Sequence, residues 1–236
     1  MASVYDEIVV DHCHDQWVAY LDRVWQSDAT PVRSVLDLCC GTGLMSAALM
    51  ARAYRVVGVD GSAAMLARAR KLLGQDVPLF RQVLPHLAVD GTFDAAVSTF
   101  DGFNYLDVAD LRATLVAVSG RLRPRGWLAF DMHTDALMEF TAANPVVHGE
   151  ANGYDFVISS DVDTAERTCD TRIDVTGGRD GRTFTERHRQ YFPSDDEIRA
   201  ALRAAGFGLV SVTAEYTDTP LEPTSLRATW LARTTR

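Results

Sequence analysis

Short apolar runs alternate with amphipathic helical patterns through the first 133 residues, and that rhythm restricts the fold more than any other feature. Residues 34–38 read as a strand, 44–53 as an Ala-, Leu- and Met-rich helix, and 55–60 (RVVGVD) as a second strand. Ser62 stands where an N-cap would, ahead of a helix AAMLARARKLLG stopped by Gly74. VPLFRQ holds a third strand, 93–100 (FDAAVSTF) a fourth, 107–122 a helix, RPRG at 123–126 a turn, and 127–133 (WLAFDMH) a fifth strand. Strands that alternate with helices imply parallel pairing, so the expected fold is α/β, a Rossmann-like doubly wound sheet. After His133 the rhythm changes. Residues 154–163, 168–176 and 183–192 read as antiparallel strands, separated by TAER and TGGRDG. A helix at 194–205 stopped by Gly206 follows, and FGLVSVTAEY with SLRATWLART reads as a closing hairpin of the main sheet. The expectation is one domain over 1–236, with an N-terminal helical segment in 1–27 and an antiparallel insertion at 134–192. Residues 14–26 place Trp17, Leu21 and Val24 at helical spacing.

The chain has 236 residues, enough for a sizeable core, and a net charge of −9 without a Lys/Arg-rich run. Nucleic acid needs a basic surface, so it is disfavoured as a partner. The four cysteines, two of them adjacent, make no disulfide framework. No stretch reads as a signal peptide or reaches the ~18 apolar residues of a membrane span, so the expected location is the cytoplasm.

The loop CCGTG at 39–43 closes the first strand. In open parallel sheets, ligands sit at the carboxyl ends of the strands. Asp60 ends the second strand and can accept hydrogen bonds from a ribose diol. GTGLMS lacks the third small residue of a dinucleotide loop, and no Gly-Lys-Ser/Thr follows as in a phosphate loop. Asp37, just before the loop, would repel a pyrophosphate and attract an ammonium group. A nucleoside that carries an amino acid, S-adenosylmethionine (SAM), fits these residues.

VLDLCCGTG and VVGVDGSAAMLARAR, with FDAAVSTFDGFNYL, LRPRGWLAFD and EIRAALRAAGF, resemble the class I SAM-dependent methyltransferases. The resemblance covers most of the chain. It is greatest to the small-molecule, natural-product branch, which includes N-methyltransferases of amino sugars. It implies a seven-stranded sheet and SAM as cofactor. Asp37, Cys39, Gly41, Thr42 and Gly43 would hold the methionine part, and Asp60 the ribose. Gly61 and Met65 would flank the adenine. Ser98, Thr99 and Phe100 would line the methionine and sulfonium. Many relatives bind the adenine amine with an acid after the third strand. Val83 stands there in this chain, and Gln82 or a backbone group would substitute. Relatives also fold their N-terminal segment over the cofactor, a pattern matched by Tyr5, Asp6 and Trp17.

Methyl transfer from a sulfonium needs alignment, exclusion of water and, for some acceptors, a base. Candidate bases are Tyr5, His12, His14, His133 at the end of the fifth strand, and Glu215. Asp101, Asn104 and Tyr105 in the fourth-strand loop, with His188 and Tyr191 in ERHRQYF, are candidate substrate contacts. Alternation puts Arg187 and Arg189 on one face, His188 and Gln190 on the other. HCH at 12–14 lacks partners at zinc spacing, so no metal site is expected. The acceptor is expected to be an amine, a hydroxyl or an electron-rich carbon such as an indole ring, with a Tyr, His or Glu group taking the proton. The alternative reading is a SAM-binding sensor or assembly protein without catalysis.

Overall fold

The computed structural model describes residues 13–177 and 182–235. Helices are α1 (His14–Gln26), α2 (Leu44–Ala51), α3 (Ala63–Leu73), α4 (Val108–Ser119), α5 (Asp135–Ala143) and α6 (Asp195–Ala204). Strands are β1 (Ser34–Leu38), β2 (Arg55–Asp60), β3 (Leu79–Arg81), β4 (Phe93–Ser98), β5 (Leu122–His133), β6 (Val146–Ala151), β7 (Tyr154–Asp163), β8 (Thr168–Gly177), β9 (Arg182–Tyr191), β10 (Phe207–Ala214) and β11 (Arg227–Thr234). A seven-stranded sheet has the order β10-β11-β5-β4-β1-β2-β3, with β11 antiparallel to both neighbours. Strands β6 to β9 form a second, wholly antiparallel sheet. The fold is thus a Rossmann-like doubly wound sheet with an inserted β segment.

Strand pleating divides the core into two layers. Leu36, Leu38, Leu128 and Phe130 pack on the α4 and α6 side with Leu111, Leu115, Ile198 and Leu202. Val35, Val97 and Ala129 face the other side, against Trp17, Val18, Leu21, Trp25, Met45 and Leu49. The apolar face of residues 14–26 therefore packs on the sheet, while His14 at the start of the helix reaches Phe100. Five buried side chains on one helix, Trp17, Val18, Tyr20, Leu21 and Trp25, place that apolar stripe in the core. At ~2 kcal/mol for each large one, that burial fixes the helix against the sheet.

Two elements in the insertion were absent from the expectation, α5 and β6. Thr134 caps α5 through Leu137 N–H. The edge strand β6 lies mostly exposed and carries no clean alternation, so its pairing with β7 depends on the neighbour. RPRG lies within β5 rather than before it. The β4–β5 register jumps from Phe93↔Leu122 to Ala95↔Trp127, and Arg125 takes φ 60°, so these residues bulge out of a continuous strand.

Candidate active site

The order of strands reverses between β4 and β1, and the ends of these two strands open into a cavity of about 670 Å³. Its floor is the loop after β1. Cys39 takes φ 55° and Gly41 φ 55°, a left-handed region that glycine enters at little cost and cysteine does not. Gly41 leaves its backbone open to the cavity and donates its N–H to Asp60 Oδ2 at 2.9 Å. Ser62 N–H donates to Oδ1 at 2.7 Å. Two backbone donors thus aim the Asp60 carboxylate along the cavity wall, and each oxygen keeps a further lone pair for a ligand hydroxyl.

Beside Asp60 lies an apolar slot. Val83 borders it with Met65, Leu84 and Gly61. Val83 is 68% exposed, unusual for a valine inside a concavity, and a Cβ at Gly61 would meet its Cγ2 at 3.2 Å. A flat ring fits such a slot. Gln82 borders it too, but its Oε1 accepts the Ala88 N–H at 2.8 Å. Together these features accept a nucleoside: a carboxylate for the diol, an apolar slot for the base, and open backbone for a polar tail.

Opposite the glycine loop, Thr99, Phe100 and Asp101 border the cavity after β4. Phe100 (φ 56°) and Asp101 (φ 51°) are consecutive left-handed residues, a strained turn. The buried Asp131 carboxylate holds it, accepting Phe100 N–H at 2.9 Å and Asp101 N–H at 2.6 Å. Tyr216 donates its hydroxyl to the same carboxylate at 3.2 Å. Arg227 reaches Asp131 (3.6 Å), Asp101 (3.5 Å) and Glu215 (3.0 Å), and lies 5.5 Å above the Phe100 ring and 5.4 Å above Trp17. Burial raises the Asp131 carboxyl to about 6, although Arg227 opposes the shift.

Several predicted site residues stand elsewhere. Asp37 does not border the cavity. Pleating turns it to the α2 side, where Ser46 donates to its Oδ2 at 2.5 Å and burial raises its carboxyl to about 7. Gly43 is required by packing instead, since a Cβ there would sit 2.9 Å from Leu73 Cδ1. Ser98 is buried below Gly102, whose added Cβ would lie 2.8 Å from the Ser98 hydroxyl. Trp17 stacks on Tyr216 at 4.5 Å, behind Phe100. Asn104 is a staple: its Nδ2 donates to the Tyr191 carbonyl (2.7 Å) and its Oδ1 accepts His133 N–H (3.0 Å). His133 sits behind Asp101, its Nε2 3.5 Å from Oδ1, with its ring against Phe192. Tyr191 packs beneath Arg189, and Glu215 pairs with Arg227 away from the cavity. A strand end, a loop or the matched N-terminal pattern put these residues near the site, and their contacts with neighbours such as Tyr216, Tyr191 and Arg227 leave no mark in the local sequence.

Cys39, Gly41, Thr42, Asp60, Gly61, Met65, Gln82, Val83, Thr99, Phe100, Asp101, Tyr105, His14 and His188 do border the cavity. His14 stacks on Phe100 at 4.8 Å. Tyr5, Asp6 and His12 lie outside the described residues. Glu186 and Asp110 also border the cavity and were missed. The alternation that placed His188 inward would have placed Glu186 with it. Burial pushes the Cys39 thiol up to about 12 and the Cys40 thiol higher still, so both remain neutral packing groups. Among the described residues no His, Cys, Asp and Glu cluster could hold a metal, and no helix is long and apolar enough to cross a membrane.

A doubly wound sheet with an acid-ended second strand and an open glycine loop defines a nucleoside-binding α/β enzyme. The methyltransferase domain family matches residues 35–126. YqeM of Bacillus subtilis (strain 168), named as a methyltransferase, is 30% identical over 92% of this chain and 89% of its own. The cypemycin N-terminal methyltransferase of a Streptomyces species is 29% identical over 92% of both. The SAM-bound structure of CalS10, an amino pentose methyltransferase from Micromonospora echinaspora, superposes with a TM-score of 0.74 at 24% identity, over 99% of this chain and 95% of that one. The chain belongs to the class I SAM-dependent methyltransferases, sharing its fold with enzymes of natural-product pathways, and SAM is its cofactor.

Proposed function

We propose that the chain methylates an amine of a small molecule. The observation that carries this reading is the charge of the cavity. Its carboxylates are Asp60, Asp101, Asp110 and Glu186, its imidazoles are His14 and His188, and no lysine or arginine borders it among the described residues. Such a ring attracts a cationic acceptor and repels a carboxylate or phosphate. Two similar proteins point the same way, the cypemycin N-terminal methyltransferase and the amino pentose methyltransferase CalS10.

In this reading the loop Cys39–Thr42 receives the methionine part through its open backbone, Asp60 accepts from the ribose hydroxyls, and Met65, Gly61 and Val83 enclose the adenine. SAM supplies a methyl group on a sulfonium, a leaving group that needs no further activation. The chain's own task is alignment and desolvation. Phe100, fixed from behind by Asp131 and Arg227, walls the side where the acceptor must approach, and His14 closes it from above by stacking on Phe100. Asp101, already held by Gln190 and Arg227, borders that wall, and Glu186 and Asp110 add further negative charge to the cavity.

Labelled SAM offered with matched amines, alcohols and phenols of similar size tests this reading. Label is expected in the amines alone. Transfer only to alcohols or phenols would overturn it.

A further inference from the structure

We propose that the inserted sheet supplies the base of the reaction, through a proton relay Tyr105–His188–Glu186 that ends in the cavity. The inference rests on the amine reading above. Residues 183–190 alternate strictly between exposed and half-buried, with the even positions inward. Glu186, His188 and Gln190 therefore share the face turned to the β4 loop. Tyr105 comes from the other side, on the short 3-10 turn Gly102–Tyr105. Its hydroxyl lies 3.1 Å from His188 Nδ1, and the two rings meet edge to face at 5.8 Å. Glu186 Oε2 lies 3.3 Å from the other ring nitrogen, Nε2. All three side chains border the cavity.

The chemistry follows from which nitrogen carries the hydrogen. The negative charge of Glu186, 3.3 Å from Nε2, favours the hydrogen on that nitrogen and leaves the Nδ1 lone pair for the Tyr105 hydroxyl. His188 Nε2 is buried without a well-aligned hydrogen bond among the described residues, an arrangement that closes as charge develops on the ring. The span is held by two cross-links between the turn and β9. Asn104 Nδ2 donates to the Tyr191 carbonyl at 2.7 Å, and Gln190 Nε2 donates to Asp101 Oδ2 at 2.5 Å. The other candidates are occupied differently. Asp101 is shared by Gln190, Arg227 and His133, and His14 lies flat on Phe100.

In the relay, one N–H bond of the acceptor's ammonium breaks and its proton joins the Tyr105 oxygen. The former hydroxyl proton passes to His188 Nδ1, giving an imidazolium beside the Glu186 carboxylate. The freed nitrogen lone pair takes the methyl group, and the sulfur keeps the electrons of the bond that breaks. His188 returns its proton to water between turnovers.

Two readouts test this on the full chain. The first is 15N NMR of the imidazole-labelled protein with S-adenosylhomocysteine added. His188 is expected as the Nε2–H tautomer. Glu186→Gln should mix the tautomers, and Tyr105→Phe should shift the Nδ1 resonance alone. The second is turnover with labelled SAM and glucosamine as probe amine. Tyr105→Phe and His188→Ala should lower kcat by about 100-fold with KM changed less than threefold, and added imidazole should restore part of the His188→Ala rate. A residue that only holds the fold would not be rescued. Unchanged resonances in both NMR variants, or wild-type kcat in Tyr105→Phe, would overturn the relay. If the wild type methylates no amine while the NMR pattern holds, the amine reading fails and the relay stands.

Discussion

Replacing Arg227 with Met should destabilise the protein in a way that depends on pH. Arg227 is the cation facing Asp131, which is fully buried and holds the strained Phe100–Asp101 turn. The folded-state carboxyl of Asp131 is raised from 3.8 to about 6. That rise of roughly two units corresponds to about 3 kcal/mol against keeping it ionised in the fold. The sign follows. A raised carboxyl favours the fold at low pH, and the penalty is complete once pH exceeds 6. Removing Arg227 deletes the largest opposing influence and pushes the carboxyl up further. At pH 8 the buried charge stands uncompensated, and the loss should be about 3–5 kcal/mol. At pH 5 Asp131 takes a proton, and what remains is the lost contact with the Trp17 and Phe100 rings, about 1–2 kcal/mol. The Glu215 pair contributes little, since that carboxylate is half-exposed. Urea unfolding at pH 5 and pH 8 measures both. Equal losses at the two pH values, or less than 1 kcal/mol at pH 8, would refute the account. Asp131→Asn in the Arg227→Met background should recover stability at pH 8 only.

Other consequences can be checked separately. Asp60→Ala should weaken SAM binding by about 100-fold in calorimetric titration, the loss of about two hydrogen bonds to a charged acceptor; an affinity within threefold of wild type would remove the ribose role. Asp37→Asn should flatten the dependence of melting temperature on pH. The wild-type carboxyl, raised to about 7, disfavours the fold increasingly as pH climbs from 4 through 7, and an amide removes that slope. Gly102→Ala would put a Cβ 2.7 Å from Cys39 Cβ and should cost about 1–3 kcal/mol. Cys39→Gly in the same chain should restore most of the melting temperature, because it removes that atom and suits φ 55°.

The order of elements in the main sheet was legible because strands and helices announce themselves through local periodicity and caps. SVLDL, RVVGVD and the Ser62 cap lie where the pattern places them. The meeting of Gly41 and Asp60 at one wall of the cavity was legible for the same reason, since both sit at strand ends that the topology must bring together. Other assignments depended on which way a side chain turns. Asp37 and Asp60 both belong to strands in the same sheet, yet the pleat and the partners Ser46 and Gly41 send one into the core and the other to the cavity. Tyr105 meets His188 across 83 residues, and Arg227 meets Asp101 across 126. No local pattern encodes such distances. The sequence by itself determined a doubly wound nucleoside-binding sheet, because secondary structure and strand-end chemistry are short-range. Which polar groups of the inserted sheet and the closing hairpin meet the β4 loop beside the cavity was decided only by tertiary packing.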